Sequence, residues 1–497
     1  MTVQFSFDNS YARLGAGFHQ PVAPTPVAEP GLILLNRGLC AELGLDAEAL
    51  DGPLGAEILS GNRLPEGAEP IAAAYAGHQF GNFVPQLGDG RAILLGEIVA
   101  PDGRRFDLQL KGSGPTAFSR SGDGRAALGP VLREYLVSEA MAALGIATTR
   151  ALAATRTGEP VLRESVLPGA VLARIASSHV RVGTFQFHAA RGDREALRRL
   201  ADHVIARHDS EIAGGSDPYR AFFEAVCARQ ARLVARWMAT GFVHGVMNTD
   251  NTSIAGETID YGPCAFLDAY DPDAVFSSID RGGRYRYANQ PGIARWNLAR
   301  LAECLLPLFD ADDDKAVAIA EDGLRGFAEV FEAAHLEAFR AKIGLATQEP
   351  EDATLIEDLF AVMARAKADF TLTFRRLGAV ADGSDPDAAL REGFGDRASL
   401  EDREAFSAWT ERWRTRLQRD ASDPAEIRAG MDRVNPALIP RNHLVETALG
   451  AAASGDLGPF LRLNAALAAP FTERPDQADL AARPPERETP YRTFCGT

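Results

Sequence analysis

The sequence predicts an α+β chain with a protein-kinase-like two-lobed fold and an additional C-terminal helical region. Three observations predict it. A glycine-rich turn runs into a β-hairpin whose second strand ends on Lys111. A helix bearing Glu134 follows. A long helix then stops at Gly241 and feeds a polar loop in which Asp250, Asn251 and Asp260 fall within eleven positions. Phosphoryl-transfer sites need a cation on the nucleotide phosphates and a carboxylate near the attacking hydroxyl, with an amide and a second carboxylate for the metals.

The polar loop reads Phe242-Val243-His244-Gly245-Val246-Met247-Asn248-Thr249-Asp250-Asn251, then Asp260-Tyr261-Gly262-Pro263. Many small-molecule kinases carry His-Gly-Asp with Asn seven residues after the His. Here His244 and Asn251 keep that interval, but Val246 stands where the Asp is expected, and valine can neither accept a proton nor orient a hydroxyl. Asp250 is the carboxylate left in the loop to act as base. Taken alone, the window also fits an ordinary polar turn after a helix, since Asn, Thr, Asp and Gly are common turn residues.

Composition narrows the classes. A chain of 497 residues, 46% hydrophobic and 24% charged, can bury a sizeable core. Its net charge of −16 argues against general binding to nucleic acid or an anionic membrane. Met1 to Gly17 shows no secretory signal, and no stretch reaches the roughly 18 apolar residues of a membrane span. Cysteines 40, 227, 264, 304 and 495 are scattered without a Cys-x-x-Cys pair, which suits a reducing cytoplasm better than a disulfide framework or zinc site. Cys495, near the end of a Pro- and Arg-rich tail, is either a redox handle or an incidental thiol.

In order along the chain, residues 1–70 read as an irregular wrap rich in proline, with Leu39 to Leu50 as one short helix. Residues 71–165 read as the N-lobe. Gly88 and Gly90 let backbone approach a ligand closely, and Arg91 adds charge. Ala92 to Val99 and Arg105 to Lys111 are strands around the turn Pro101-Asp102-Gly103. Strict alternation puts Phe106, Leu108 and Leu110 on one face and Asp107, Gln109 and Lys111 on the other. The loop from Gly112 to Arg125 is glycine-rich but lacks the P-loop order. A helix from Pro130 to near Gly145 bears Glu134, which either partners Lys111 or is a solvated acid helped by the helix dipole.

Residues 166–345 read as the C-lobe, and 160–187 as strands and turns. Arg174 and Arg181, flanked by apolar residues, need anionic partners. They are candidates to clamp phosphate, or else form structural salt bridges. Asp217-Pro218 opens a long helix to Thr240. Residues 346–497 read as a helical extension with a Pro-rich, extended tail after Pro470. Helices are expected over 297–308, 315–345, 352–374 and 400–417.

Together these motifs resemble the selenoprotein O, or YdiU, family of kinase-like protein adenylyltransferases. The resemblance covers nearly the whole chain and rests on Gln109-Leu110-Lys111-Gly112-Ser113-Gly114, Ser121-Gly122-Asp123-Gly124-Arg125-Ala126, Arg133-Glu134-Tyr135-Leu136, the 244–251 loop and Asp260-Tyr261-Gly262-Pro263. It implies transfer of AMP from ATP to Ser, Thr or Tyr hydroxyls of protein substrates, with pyrophosphate released, by a cytoplasmic monomer acting in redox or stress response. It implies Asp250 as catalytic base, and Asn251 and Asp260 as ligands of magnesium or manganese. Gly88, Gly90, Arg91, Lys111, Asp123, Gly124, Arg174, Arg181 and Asp260 become nucleotide contacts, with Glu134 bracing Lys111. The nucleotide is held flipped relative to ordinary kinases. Uridylylation from UTP with manganese is the alternative the resemblance leaves room for. A conventional kinase, disfavoured by Val246, and a silent nucleotide-binding scaffold also stay open. Cys495 takes the place of the selenocysteine of animal members, but Gly496-Thr497 departs from their Ser-Ser ending.

Overall fold

The computed structural model describes residues 3–395, 398–420, 422–485 and 491–494, so Cys495 lies outside the described residues. The fold is α+β, an antiparallel sheet joined to a larger body of helices. The N-terminal wrap supplies β1 (His19–Pro21), β2 (Gly31–Leu35) and the short helices α1 (Arg37–Leu43), α2 (Ala47–Leu50) and α3 (Pro53–Ser60). The expectation of one helix over Leu39 to Leu50 is corrected: Gly44 turns left-handed at φ 70° and ends α1, and the Asp46 carboxylate then caps α2 by accepting from the Glu48 and Ala49 amides.

There follow β3 (Ile71–Ala73), a separate small hairpin of β4 (Gly77–Gln79) and β5 (Asn82–Val84), then β6 (Ala92–Val99), β7 (Arg105–Lys111), β8 (Ala126–Ala127), helix α4 (Leu128–Ala143), β9 (Arg150–Leu162) and β10 (Val166–Ala176). The eight-stranded sheet runs β1-β3-β6-β7-β10-β9-β2, with β8 added beside β10. Leu108 and Leu110 of β7 pack with Leu39, Leu43 and Leu59 of the wrap, so one sheet face is covered by α1 to α3. Burying such side chains contributes roughly 1.5–3 kcal/mol each. The opposite, polar face of β7 is also buried at Asp107 and Gln109, because it faces the helical body rather than water. Leu132, Leu136 and Ala140 of α4 meet Ala154 and Leu172 of the sheet on one side and Leu449, Phe460 and Leu463 on the other.

The helical body begins with α5 (Val182–Ala189), α6 (Arg194–His208) and α7 (Pro218–Thr240). The expectation of strands and turns through 187 is corrected by α5. Its run Val-Gly-Thr-Phe-Gln-Phe favours a strand by residue type, yet burial of Val182 and Phe185 among Leu200, Val204 and Phe222 decides otherwise. The short pair β11 (Phe242–Val243) and β12 (Ala265–Phe266) brackets the polar loop. Then come α8 (Gln290–Phe309), α9 (Asp313–Lys342), α10 (Asp352–Ala366), α11 (Phe370–Ala381), α12 (Pro386–Phe394), α13 (Leu400–Arg419), α14 (Pro424–Val434), α15 (Asn442–Ala453), α16 (Gly458–Leu467) and α17 (Ala478–Ala481). The helix expected over 352–374 is two, broken where Lys367 adopts φ 48°. The tail is not wholly extended, since α17 interrupts it. At Thr493 it returns to the body: the amide donates to the Phe276 carbonyl at 2.8 Å and the hydroxyl to the Pro263 carbonyl at 2.6 Å. Cys40, Cys227, Cys264 and Cys304 are free and buried. Among the described residues no helix is long and apolar enough to cross a membrane.

Candidate active site

β7 delivers Lys111 to the edge of the sheet that faces the helices, and β10 pairs alongside with Arg174 opposite Gln109. Helix α4 brings Glu134 to the same point. Lys111 Nζ lies 2.5 Å from Glu134 Oε2 and 3.1 Å from Asp260 Oδ1. The Arg174 guanidinium bridges the same two carboxylates, at 3.0 Å from Glu134 and 2.7 Å from Asp260. Arg181, at the N-cap of α5, donates to Asp260 Oδ2 at 3.2 Å and to the Asp250 backbone carbonyl at 2.7 Å. Residues up to 149 positions apart therefore meet in one cleft.

This cluster fixes the charge states. Burial pushes the Asp260 carboxyl up, but Lys111, Arg174 and Arg181 outweigh it and hold it well below the usual carboxylate range. Burial likewise opposes ionisation of Glu134, and Lys111 and Arg174 pull it below its ordinary value. Three cations therefore crowd on two ionised carboxylates, with Asp89 and Asp250 also acting on Arg181.

Asp250 behaves differently. Only 8% exposed, it is pushed up to about 6 by burial, with Arg181 acting in the opposite direction. Its Oδ1 is buried without a hydrogen-bond partner, while Oδ2 accepts from Gln79 Nε2 at 3.4 Å. The β4–β5 hairpin lies against it: a Cβ on Gly77 would come within 2.5 Å of Asp250 Oδ1. A ring of hydrogen bonds fastens the hairpin down. The His78 amide donates to Thr249 Oγ1 at 2.6 Å, Thr249 donates to Gln186 Oε1 at 2.6 Å, and Gln186 Nε2 lies 2.8 Å from His78 Nδ1. The Phe80 amide adds a bond to Asn248 Oδ1 at 3.0 Å.

Asn251 sits beside Asp250 with its amide donating to the Val246 carbonyl at 3.0 Å. Gly88 and Gly90 lie under Phe118. A Cβ on Gly88 would strike the Phe118 ring at 2.4 Å, and one on Gly90 would strike the Phe118 carbonyl at 2.9 Å. The Arg91 carbonyl accepts from the Gly112 amide at 2.7 Å, which ties the glycine-rich turn to the residue after Lys111. Gly124, at φ 66°, accepts from the Gly114 amide at 3.1 Å, and Asp123 pairs with Arg163 at 2.9 Å. These residues form a backbone-rich rim next to the Lys111 cluster.

Several contributors carried a weaker sequence signal. Gln109 accepts from Arg174 at 3.2 and 2.5 Å and donates to Asp89 at 3.1 Å, bracing the arginine from behind. The alternation of Asp107, Gln109 and Lys111 marked that face, and an aspartate between two glycines marked Asp89. Tyr75 lies under Arg181, 4.6 Å from guanidinium carbon to ring centroid. For Tyr75, Gln186 and the β4–β5 hairpin no local pattern pointed to the site.

Comparison with known proteins identifies the family. A family model described as "Protein adenylyltransferase SelO" matches residues 1–468. The chain belongs to the SelO family. Proteins named "Protein nucleotidyltransferase YdiU" from Methylorubrum populi and Rhodopseudomonas palustris are each 62% identical to it over 498 residues, and one from a Bradyrhizobium species is 61% identical over 498 residues, all of both chains being covered each time. As a member of the SelO family the chain is an enzyme of the nucleotidyltransferase class.

Proposed function

We propose that this SelO-family chain transfers AMP from ATP to Ser, Thr or Tyr hydroxyls of other proteins and releases pyrophosphate, on a kinase-like two-lobed scaffold. The lobes are assigned as 71–165 and 166–345, with 1–70 as a wrap and 346–497 as a helical extension and tail. The observation that carries the reading is the gathering of Lys111, Arg174 and Arg181 on Asp260. Two arginines beyond the strand lysine supply more positive charge than one phosphate needs. They suit a triphosphate turned so that its β- and γ-phosphates are gripped and its α-phosphorus faces the acceptor.

In this reading Asp250 accepts the proton of the attacking hydroxyl, since Val246 has no acceptor, and its raised affinity for a proton suits a base. Glu134 holds Lys111 in place. Gly88, Gly90, Arg91, Asp123 and Gly124 form the rim against which the nucleotide lies. Asp260 and Asn251 offer the hard oxygen donors that magnesium or manganese prefers. Among the described residues no group of three or more His, Cys, Asp or Glu could hold a metal unaided, so such an ion would complete its shell with phosphate oxygens. Bound there, it would neutralise charge on the phosphates. The four buried free thiols suit a reducing cytoplasm, and a monomer is sufficient for this site.

Incubating the chain with acceptor protein and either α- or γ-labelled ATP tests the reading. Label passing to protein from the α position alone supports it, and passage from γ alone would establish a conventional kinase instead. A parallel arm with α-labelled UTP and manganese decides between AMP and UMP.

A further inference from the structure

The chain carries 16 more negative than positive charges, yet Arg281, Arg284, Arg286, Arg295 and Arg300 fall in a twenty-residue stretch, 281–300, that holds no Asp or Glu. The fold stacks part of this stretch against the β4–β5 hairpin and the loop that carries Asp250. Arg284 lies 4.8 Å from the Trp296 ring centroid and Arg300 lies 5.0 Å from it, while His78 of β4 meets Trp296 edge-on at 5.2 Å. A Cβ on Gly81, at the hairpin turn, would sit 3.6 Å from the Arg284 guanidinium. Tyr285 donates to Asn248 Oδ1 at 2.7 Å, the same oxygen that anchors Phe80, so the arginines are rigidly tied to the catalytic loop.

Their charge is only partly answered within the protein. Arg286 pairs with Asp273 at 3.1 Å and Arg300 with Glu303 at 2.6 Å. Asp280 is buried and accepts instead from the Arg284 and Tyr285 amides, at 2.9 and 2.8 Å. Arg281 and Arg295 are exposed, and among the described residues neither they nor Arg284 forms a salt bridge with a carboxylate. A guanidinium stacked on an aromatic face keeps its N–H edge open for bidentate bonds to a carboxylate.

We propose that this arginine ledge selects acceptors: the protein segment bearing the target hydroxyl is acidic, and its Asp or Glu side chains dock on Arg284 and its neighbours. The inference rests on the adenylyltransferase reading and names the substrate class for that site. Gly77 abuts Asp250, and the Arg284 contact lies at Gly81. Gly77 to Gln79 is about 7 Å of extended strand before the chain turns at Phe80 and Gly81, so the acidic side chains belong roughly two to four positions from the hydroxyl.

The test is a degenerate peptide library with one central Ser, Thr or Tyr and each flanking position fixed in turn, labelled from α-labelled ATP by the full chain. Acidic residues roughly two to four positions from the centre should raise kcat/KM on the order of tenfold over lysine there, and the preference should shrink as salt is added. Arg284→Glu should abolish or invert the preference. Arg295→Glu, at an exposed position, should weaken it with nucleotide affinity unchanged, so the test survives if the first variant folds poorly. Labelling indifferent to flanking charge, or a preference that persists in both variants, overturns the inference while leaving the transfer reading intact. Absence of α-label from every peptide and from the chain itself would sink both.

Discussion

Asp260 holds φ at 63°, a left-handed conformation uncommon outside glycine, and that turn aims its carboxylate at three cations. Asp260→Ala should therefore abolish metal-dependent transfer, and near-normal labelling by that variant would contradict the role given to it. Asp260→Asn tolerates the same backbone but removes the charge, so it should lose transfer as well and unfold at a lower temperature, because Lys111, Arg174 and Arg181 lose a shared anionic partner. Cys495→Ser should leave transfer by purified enzyme largely intact, because the Lys111 cluster is complete without it. At this scale the sequence exposed which residue types carry the chemistry, but not their pairings. Glu134 fitted both a solvated acid and a lysine partner, since a helix position three residues into an apolar pattern looks alike in either case. Only the approach of α4 to β7 settles the matter, leaving Glu134 4% exposed against Lys111 and Arg174.

Among the elements, the β4–β5 hairpin is held to the 244–251 loop by the ring of His78, Thr249 and Gln186. Gln186→Ala should loosen it, and faster hydrogen exchange at the His78 and Phe80 amides with unchanged exchange in β7 would report that directly. The same variant should lower kcat with little change in nucleotide affinity, because Gln186 touches the Asp250 side of the site and not the Lys111 side. Gly183→Ala is the packing counterpart: its Cβ would lie 2.2 Å from the Ala76 carbonyl, so a loss of about 1–3 kcal/mol in a denaturant titration is expected. Helix α7, expected to run to about Thr240, was legible because Pro218 opens it and Gly241 closes it in a left-handed turn. Helix α5 was not, since its β-branched and aromatic residues contradict the helix that tertiary packing imposes. The break between α10 and α11 was hidden too, because a lysine at φ 48° carries no sequence mark of a turn.

On the scale of the whole molecule, buried ionic and neutral groups tie the sheet to the helices. Arg207 of α6 reaches Glu97 at 2.8 Å and Asp107 at 2.6 Å, and His179 adds a contact to Asp107 at 2.9 Å. Burial pushes His188, His203 and His335 down to about 4 and His208 to about 3. A histidine kept neutral in the folded state contributes stability that is present above its unfolded value of about 6.5 and lost as pH falls through the folded one. Glu257, raised by burial to about 7, acts oppositely: its contribution is present below its unfolded value and lost as pH rises through 7. Asp250, raised by burial to about 6, acts in the same direction as Glu257. Four histidines outweigh these two carboxyls, so the urea midpoint should fall from pH 6.5 to 4. A flat profile over that range would contradict the burial assigned to these histidines. The α+β class was readable from alternation in β7 and the helical periods beyond residue 290. The joining of sheet to helices by buried polar side chains was not, because Asp107 and Gln109 look like an ordinary solvent face until the helical body covers them.

The most direct measurement of the central claim is intact-mass spectrometry of an acceptor protein after incubation with ATP and either magnesium or manganese. The account predicts an added mass of one AMP per modified hydroxyl, absent with Asp260→Ala. An added phosphoryl group, or an AMP adduct that persists in that variant, would contradict it.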